Sequence, residues 1–188
     1  MVLAHSFIGA PLTYLLVKNK NLTPKFKNLV YFVGITGSIL PDLDLILSFF
    51  IDDLNHRKLV SHSIVPYIAI FIIILLISYL FKRHSQELRL LNLVAFLTIS
   101  LHLLLDYLVG GIALFGPFDP NIYGIRVPFV DGKNLFIKYF NSQYLIYEAI
   151  IISTFFIFFK KYKNIPSVYF SYLYFLLAIA MVFKFSLI

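Results

Sequence analysis

Residues 63–81 read SIVPYIAIFIIILLISYLF, an apolar run without a charged residue. About 20 such residues cross the roughly 30 Å hydrocarbon core of a bilayer. Backbone in lipid must satisfy its own hydrogen bonds, so a run of this kind is a helix. Five further apolar segments surround it: 2–17 (VLAHSFIGAPLTYLLV), 28–50 (NLVYFVGITGSILPDLDLILSFF), 88–109 (LRLLNLVAFLTISLHLLLDYLV), 143–159 (QYLIYEAIIISTFFIFF) and 165–188 (IPSVYFSYLYFLLAIAMVFKFSLI). The expectation is an all-α integral membrane protein with about six transmembrane helices and a polar metal site near one membrane surface. It forms one domain over 1–188, with a motif-bearing part at 1–120 and a helical C-terminal part at 143–188. The Gly- and Pro-containing stretch 110–142 reads as a loop or re-entrant segment.

Composition agrees. Of 188 residues, 60% are hydrophobic and 13% charged, and the mean hydropathy is +0.87. Soluble domains carry about twice that share of charge, so a soluble globular domain and a disordered chain are both excluded. There is no cysteine, which removes disulfides, thiolate metal sites and a Cys nucleophile. The net charge of +7 sits between apolar runs, where it reads as topology and contact with anionic headgroups rather than nucleic-acid binding. The first segment has its lysines after the apolar stretch, unlike a signal peptide, and reads as a retained helix.

Basic residues set the expected orientation. Lys18, Lys20, Lys25 and Lys27 follow segment one, Lys82, Arg83 and Arg89 follow segment three, and Lys160, Lys161 and Lys163 follow segment five. The positive-inside rule puts these loops in the cytoplasm of a prokaryotic cell. Asp42, Asp44, Asp106 and Glu148, with His5, His56, His62 and His102, then all fall on the outward side.

The sharpest local signal is His102-Leu-Leu-Leu-Asp106, two ionisable groups on one helix face. Such a pair in an apolar helix is costly unless compensated. A divalent cation compensates directly, because imidazole and carboxylate are both zinc ligands; a packed His–Asp hydrogen bond is the structural alternative. Pro41-Asp42-Leu43-Asp44 is a helix break followed by two carboxylates, suited to metal bridging or general-base work, or else to helix capping. His56 and His62 lie six apart, off one helical face, and converge only in a broken segment. Arg57 can clamp a phosphate or contact headgroups. Ser61 and Ser63 read as caps, since no Gly-x-Ser-x-Gly elbow is present. His5 and Glu148 are weaker candidates, and Asp52, Asp53, Asp119 and Asp131 are expected in solvent.

The motifs AHSFIGAPLTYL (4–15), GSILPDLDL (37–45), HRKLVSHS (56–63), HLLLDYL (102–108) and GPFDP (116–120) resemble the YdjM-like, inner-membrane-associated, metal-dependent hydrolases. That family is in turn distantly similar to the zinc-dependent phospholipase C and single-strand nuclease superfamily. The resemblance implies that His102 and Asp106 are a helix-borne ligand pair, that Asp42 or Asp44 bridges metals, and that His56 or His62 and His5 are further ligands. No histidine follows residue 106, so one or two zinc ions are expected rather than a three-metal cluster, with Glu148 as a stand-in ligand.

The expected function is metal-dependent hydrolysis of a lipid phosphoester at the outer leaflet. Asp42 or Asp44 would orient or deprotonate a water, and Arg57 would neutralise phosphoryl charge. The expected partners are membrane lipids and a lipid-like substrate, with no nucleic acid. A lipid amidase is the nearest alternative. A divalent-cation transporter or sensor is another, though neither internal repeats nor polar residues along the whole membrane depth favour it.

Overall fold

The computed structural model describes residues 2–49, 51, 55–81 and 85–125. They form four helices: α1 (Val2–Val17), α2 (Pro24–Ile39), α3 (Ile64–Leu80) and α4 (Ser85–Leu108). No strand occurs among them, only an antiparallel bridge between Ile112 and Tyr123. A 3-10 segment, Leu40–Phe49, follows α2, and two short 3-10 turns, His56–Lys58 and Val60–His62, precede α3.

Helix ends follow local chemistry. Thr23 caps α2, its side chain accepting from the Phe26 amide at 3.3 Å. Pro24 occupies the first turn, where a missing N–H costs nothing. This cap starts α2 at Pro24, ahead of the apolar stretch beginning at 28. Pro41 follows its end, as the helix break predicts. Ser63 caps α3 by accepting from the Val65 amide at 3.2 Å.

One described helix, Ser85–Leu108 with 24 residues, is long and apolar enough to cross a membrane. At 1.5 Å per residue it is about 36 Å long. The described residues therefore do not support six spans. α1 and α2 have 16 residues each and α3 has 17; α1 and α3 fill their short apolar runs, and the Pro41 break ends α2 inside the 28–50 run. Segments 143–159 and 165–188 lie outside the described residues.

α2 packs against both α1 and α4, and α3 packs on α4. Small residues allow the close approach, as is usual where helices associate in lipid. A Cβ on Gly9 would lie 2.5 Å from Ser38 Oγ and 2.6 Å from the Gly34 carbonyl oxygen. Thr13 and Thr98, buried at these crossings, donate their hydroxyls to the Gly9 and Val94 carbonyls within their own helices. On α3, Ile70, Ile72, Ile73 and Leu76 face outward, a surface suited to lipid.

Beyond α4 the chain turns at Gly110 and Gly111, both with positive φ (117° and 83°). It is then tied to the segment before α3. The Ala113 amide donates to the Arg57 carbonyl at 2.9 Å, and the Ile64 amide to that of Leu114 at 3.0 Å. The Ser63 hydroxyl is shared by the carbonyls of Gly116 (2.5 Å) and Leu114 (3.1 Å).

Candidate metal centre

Four elements converge where α1 starts, α2 ends, α3 is about to start and α4 ends. They bring His5, Asp42, Asp44, His62, His102 and Asp106 together. His5, His62, His102 and Asp106 are buried.

Each of these three histidines is anchored through Nδ1. His5 Nδ1 donates to Asp42 Oδ2 at 3.1 Å, and His62 Nδ1 to Asp44 Oδ2 at 3.0 Å. His102 Nδ1 lies 2.8 Å from the Ser38 carbonyl oxygen. A carbonyl can only accept, so His102 Nδ1 carries a proton and Nε2 is the nitrogen left to face the carboxylates.

The three Nε2 atoms are buried and make no hydrogen bond. They face carboxylates at longer range. His62 Nε2 is 3.4 Å from both Asp42 Oδ1 and Asp106 Oδ2. His102 Nε2 is 3.7 Å from Asp42 Oδ1 and 3.5 Å from Asp106 Oδ2, and His5 Nε2 is 3.8 Å from Asp106 Oδ1. The His5 and His102 rings are stacked at a 3.8 Å centroid distance, tilted by 44°.

This arrangement suits a metal ion. Burying imidazole nitrogens without partners is costly, and bound cations would supply those partners. Metal-ligating histidines characteristically hold a carboxylate or carbonyl with the other ring nitrogen. Two overlapping groups could hold an ion: His5, Asp42, His102 and Asp106, and Asp42, His56 and His62. Within each, the ligand atoms lie within 4.8 Å of one another, and Asp42 belongs to both. Nitrogen and oxygen donors of this kind suit borderline divalent ions.

A model of the YdjM inner membrane protein family matches residues 1–186. The chain belongs to the YdjM inner membrane protein family. No curated protein and no solved structure matches it. The YdjM match extends past the motifs legible in the sequence, which stop near residue 120.

The other expected site residues of this YdjM chain take varied positions. His56 lies beside the centre, its ring centroid 5.1 Å from that of His62. Burial, with the positive charge of His62, pushes its pKa down to about 4, so it is neutral at pH 7. Burial works the same way on His62, but the carboxylates of Asp106, Asp42 and Asp44 overcome it and push the pKa up to about 11. Glu148, Asp52, Asp53 and Asp131 lie outside the described residues. Asp119 is on the loop after α4, accepting from the Asn121 amide at 2.9 Å and from the Tyr123 hydroxyl.

Arg57, expected as a phosphate or headgroup clamp, holds the chain itself. Its Nη1 donates to the carbonyls of Val109 (2.9 Å) and Gly111 (3.2 Å), and its Nη2 lies 3.5 Å from Asp106 Oδ1. Ser63 is the expected cap, but Ser61 is not one. Its hydroxyl donates to Asp44, and its carbonyl accepts from the Tyr67 hydroxyl at 2.8 Å.

Three features escaped the sequence reading: the Ser38 carbonyl behind His102, the Ser61 hydroxyl behind Asp44, and Tyr67 behind Ser61. The small-residue pattern Gly34, Gly37, Ser38 was the available signal for the first, since it marks where α2 comes close to its neighbours. The other two depend on the path between Asn55 and Ser63, which carries no periodic signal.

Proposed function

We propose that this chain is a membrane-bound, metal-dependent hydrolase whose substrate is a lipid phosphoester. The carrying observation is the set of three buried Nε2 atoms without hydrogen bonds, facing the carboxylates of Asp42 and Asp106. His5, His102, Asp106 and Asp42 would hold one divalent ion, and Asp42, His56 and His62 a second; zinc suits this donor set best. Such an ion supplies Lewis acidity and a water of lowered pKa.

The protein's own residues do the rest. Asp44 and the Ser38 carbonyl fix the ring planes of His62 and His102. Asp42 orients His5 with Oδ2 while Oδ1 faces the other two rings, and it stands ready to accept a proton from a water there. Arg57, partly exposed beside Asp106, offsets negative charge developing on a phosphoryl group. The reaction class is the one that the expected distant relation to the zinc-dependent phospholipase C and single-strand nuclease superfamily implies. The distribution of lysines supports a centre on the outward face of the cytoplasmic membrane. Membrane lipids are the partners proposed, and nucleic acid is not.

Metal content tests the reading. The full chain is purified in detergent without chelator or His tag, and bound metals are counted by mass spectrometry. Wild type should carry about one or two equivalents, and the His102→Ala/Asp106→Ala variant should lose them. Lipid phosphoesters should then be cleaved by the loaded protein and lipid amides should not. A wild type that neither carries metal nor retains added zinc overturns the proposal.

A further inference from the structure

The two groups able to hold an ion are unequal. The first stands on regular helices: His5 lies on α1, His102 and Asp106 lie on α4, and Asp42 lies just past the end of α2. His5, His102 and Asp106 are 1% exposed or less, and the Asp42 side chain 10%. Both imidazoles are anchored, His5 on Asp42 Oδ2 and His102 on the Ser38 carbonyl. Four protein ligands complete the shell of a tetrahedral ion, as in structural zinc sites.

The second group has three ligands, Asp42, His56 and His62. His62 is fully buried, anchored on Asp44 and left with an unpartnered Nε2. His56 is half-buried; its ring meets that of His62 edge-on, and among the described residues no hydrogen bond anchors it. It stands on the short 3-10 turn His56–Lys58, capped by the Asn55 side chain, which accepts from the Arg57 amide at 3.2 Å. That turn is the open edge of the centre, since Asn55 and Lys58 are exposed and Arg57 partly so. Three protein ligands leave one coordination position for water or substrate, the pattern of catalytic zinc sites. Arg57 and Lys58 directly follow His56, and their charge favours an anion at that edge.

We propose that the first group is a closed site whose ion holds the end of the bundle together, and that the second is an open site whose ion exchanges and admits an anionic oxygen of the substrate. The inference deepens the phosphoester reading and rests on its metal centre. Ligand number and anchoring point the same way. An imidazole without its outer partner costs about 10–100-fold in metal affinity, and the second group also has one ligand fewer. Asp42 belongs to both, so the open site is assembled on a ligand that the closed site already fixes.

Cobalt tests the division, because its visible spectrum follows its coordination. The full chain, stripped of metal in detergent, is titrated with Co²⁺, and inorganic phosphate is the probe for the open position. The first equivalent should bind at least about tenfold more tightly than the second, with a four-coordinate spectrum that phosphate leaves unchanged. Phosphate should shift the bands that the second equivalent adds. His56→Ala should keep the first equivalent with its spectrum and lose the second, whereas His102→Ala should weaken both.

The phosphate response of the wild type does not depend on how either variant folds. A first equivalent that answers to phosphate, two equivalents of equal affinity, or a chain that stops at one equivalent overturns the division and leaves the hydrolase reading standing. So does a His56→Ala chain that keeps both equivalents. A chain that takes up no cobalt overturns the division and the hydrolase reading together.

Discussion

Asp44→Asn separates a metal ligand from a group that merely holds one. In the structure Asp44 Oδ2 takes the His62 Nδ1 proton at 3.0 Å and also accepts from the Ser61 hydroxyl. It acts on the centre through His62, so asparagine keeps an acceptor in place and removes only the charge that makes His62 a stronger base. Changes of that kind cost about 10–100-fold in metal affinity, or about 1.4–2.7 kcal/mol. Asp42→Asn should cost more than about 100-fold, since Asp42 both anchors His5 and belongs to both ligand groups. The assay is competition between the protein and a chelator of known zinc affinity, in one detergent at one pH. If Asp44→Asn binds zinc within twofold of wild type, or as weakly as Asp42→Asn, the assignment of Asp44 as an orienting residue is wrong.

Metal binding should strengthen with pH. His62 is held up to about 11 in the metal-free site, so an ion must displace its proton, and zinc affinity should rise about tenfold per unit between pH 6 and 8. Metal-free protein should behave in the opposite sense. A folded pKa above the ordinary 6.5 of His62 stabilises fully below 6.5 and loses that stabilisation as pH rises toward 11; a Tm that does not fall from pH 7 to 10 contradicts this. Gly34→Ala would drive a Cβ into the Thr13 hydroxyl oxygen and put it 3.2 Å from Val94 Cγ1. It should cost about 1–3 kcal/mol in thermal unfolding, partly recovered by Thr13→Ala. Arg57→Ala should cost about 2–3 kcal/mol through the lost carbonyl and Asp106 contacts. Arg57→Lys, which lacks the fork, should recover less than half; full recovery would mean that only its charge matters.

How much was legible depended on whether the signal was local. The His102/Asp106 pair was, because spacing within one helix fixes their common face. They lie 3.5 Å apart in the structure. The break at Pro41 was legible too, since a missing N–H acts within one turn. The meeting of His56 with His62 was not. Two short turns are joined through extended Leu59, at φ −74° and ψ 155°, and that path is pinned by amides from residues 113 and 64 and by the Leu114 carbonyl. The role of Arg57 was hidden for the same reason, since its carbonyl partners lie over 50 positions away. The six-span count failed among the described residues because α1 and α3 are as short as their own apolar runs, and because hydropathy does not see that Pro41 ends α2 inside one.

One-sidedness of the centre follows from topology. The ligands come from the start of α1, the end of α2, the turn before α3 and the end of α4. In a bundle whose successive helices reverse direction, these four places share one end. A transport path would need ionisable groups along the membrane depth. Among the described residues the buried charged and imidazole side chains all belong to this end. Which face of the membrane it occupies can be read directly, because the chain has no cysteine. Phe118, on the loop tied to the centre, is 82% exposed, and Lys20 is exposed at the opposite end. In intact spheroplasts Phe118→Cys should react with a membrane-impermeant maleimide, whereas Lys20→Cys should react only after lysis. The reverse pattern would turn the protein over and put its centre in the cytoplasmic leaflet. Labelling of both in intact spheroplasts would place the two loops on one side, which reversed successive helices do not permit, and would refute the topology itself.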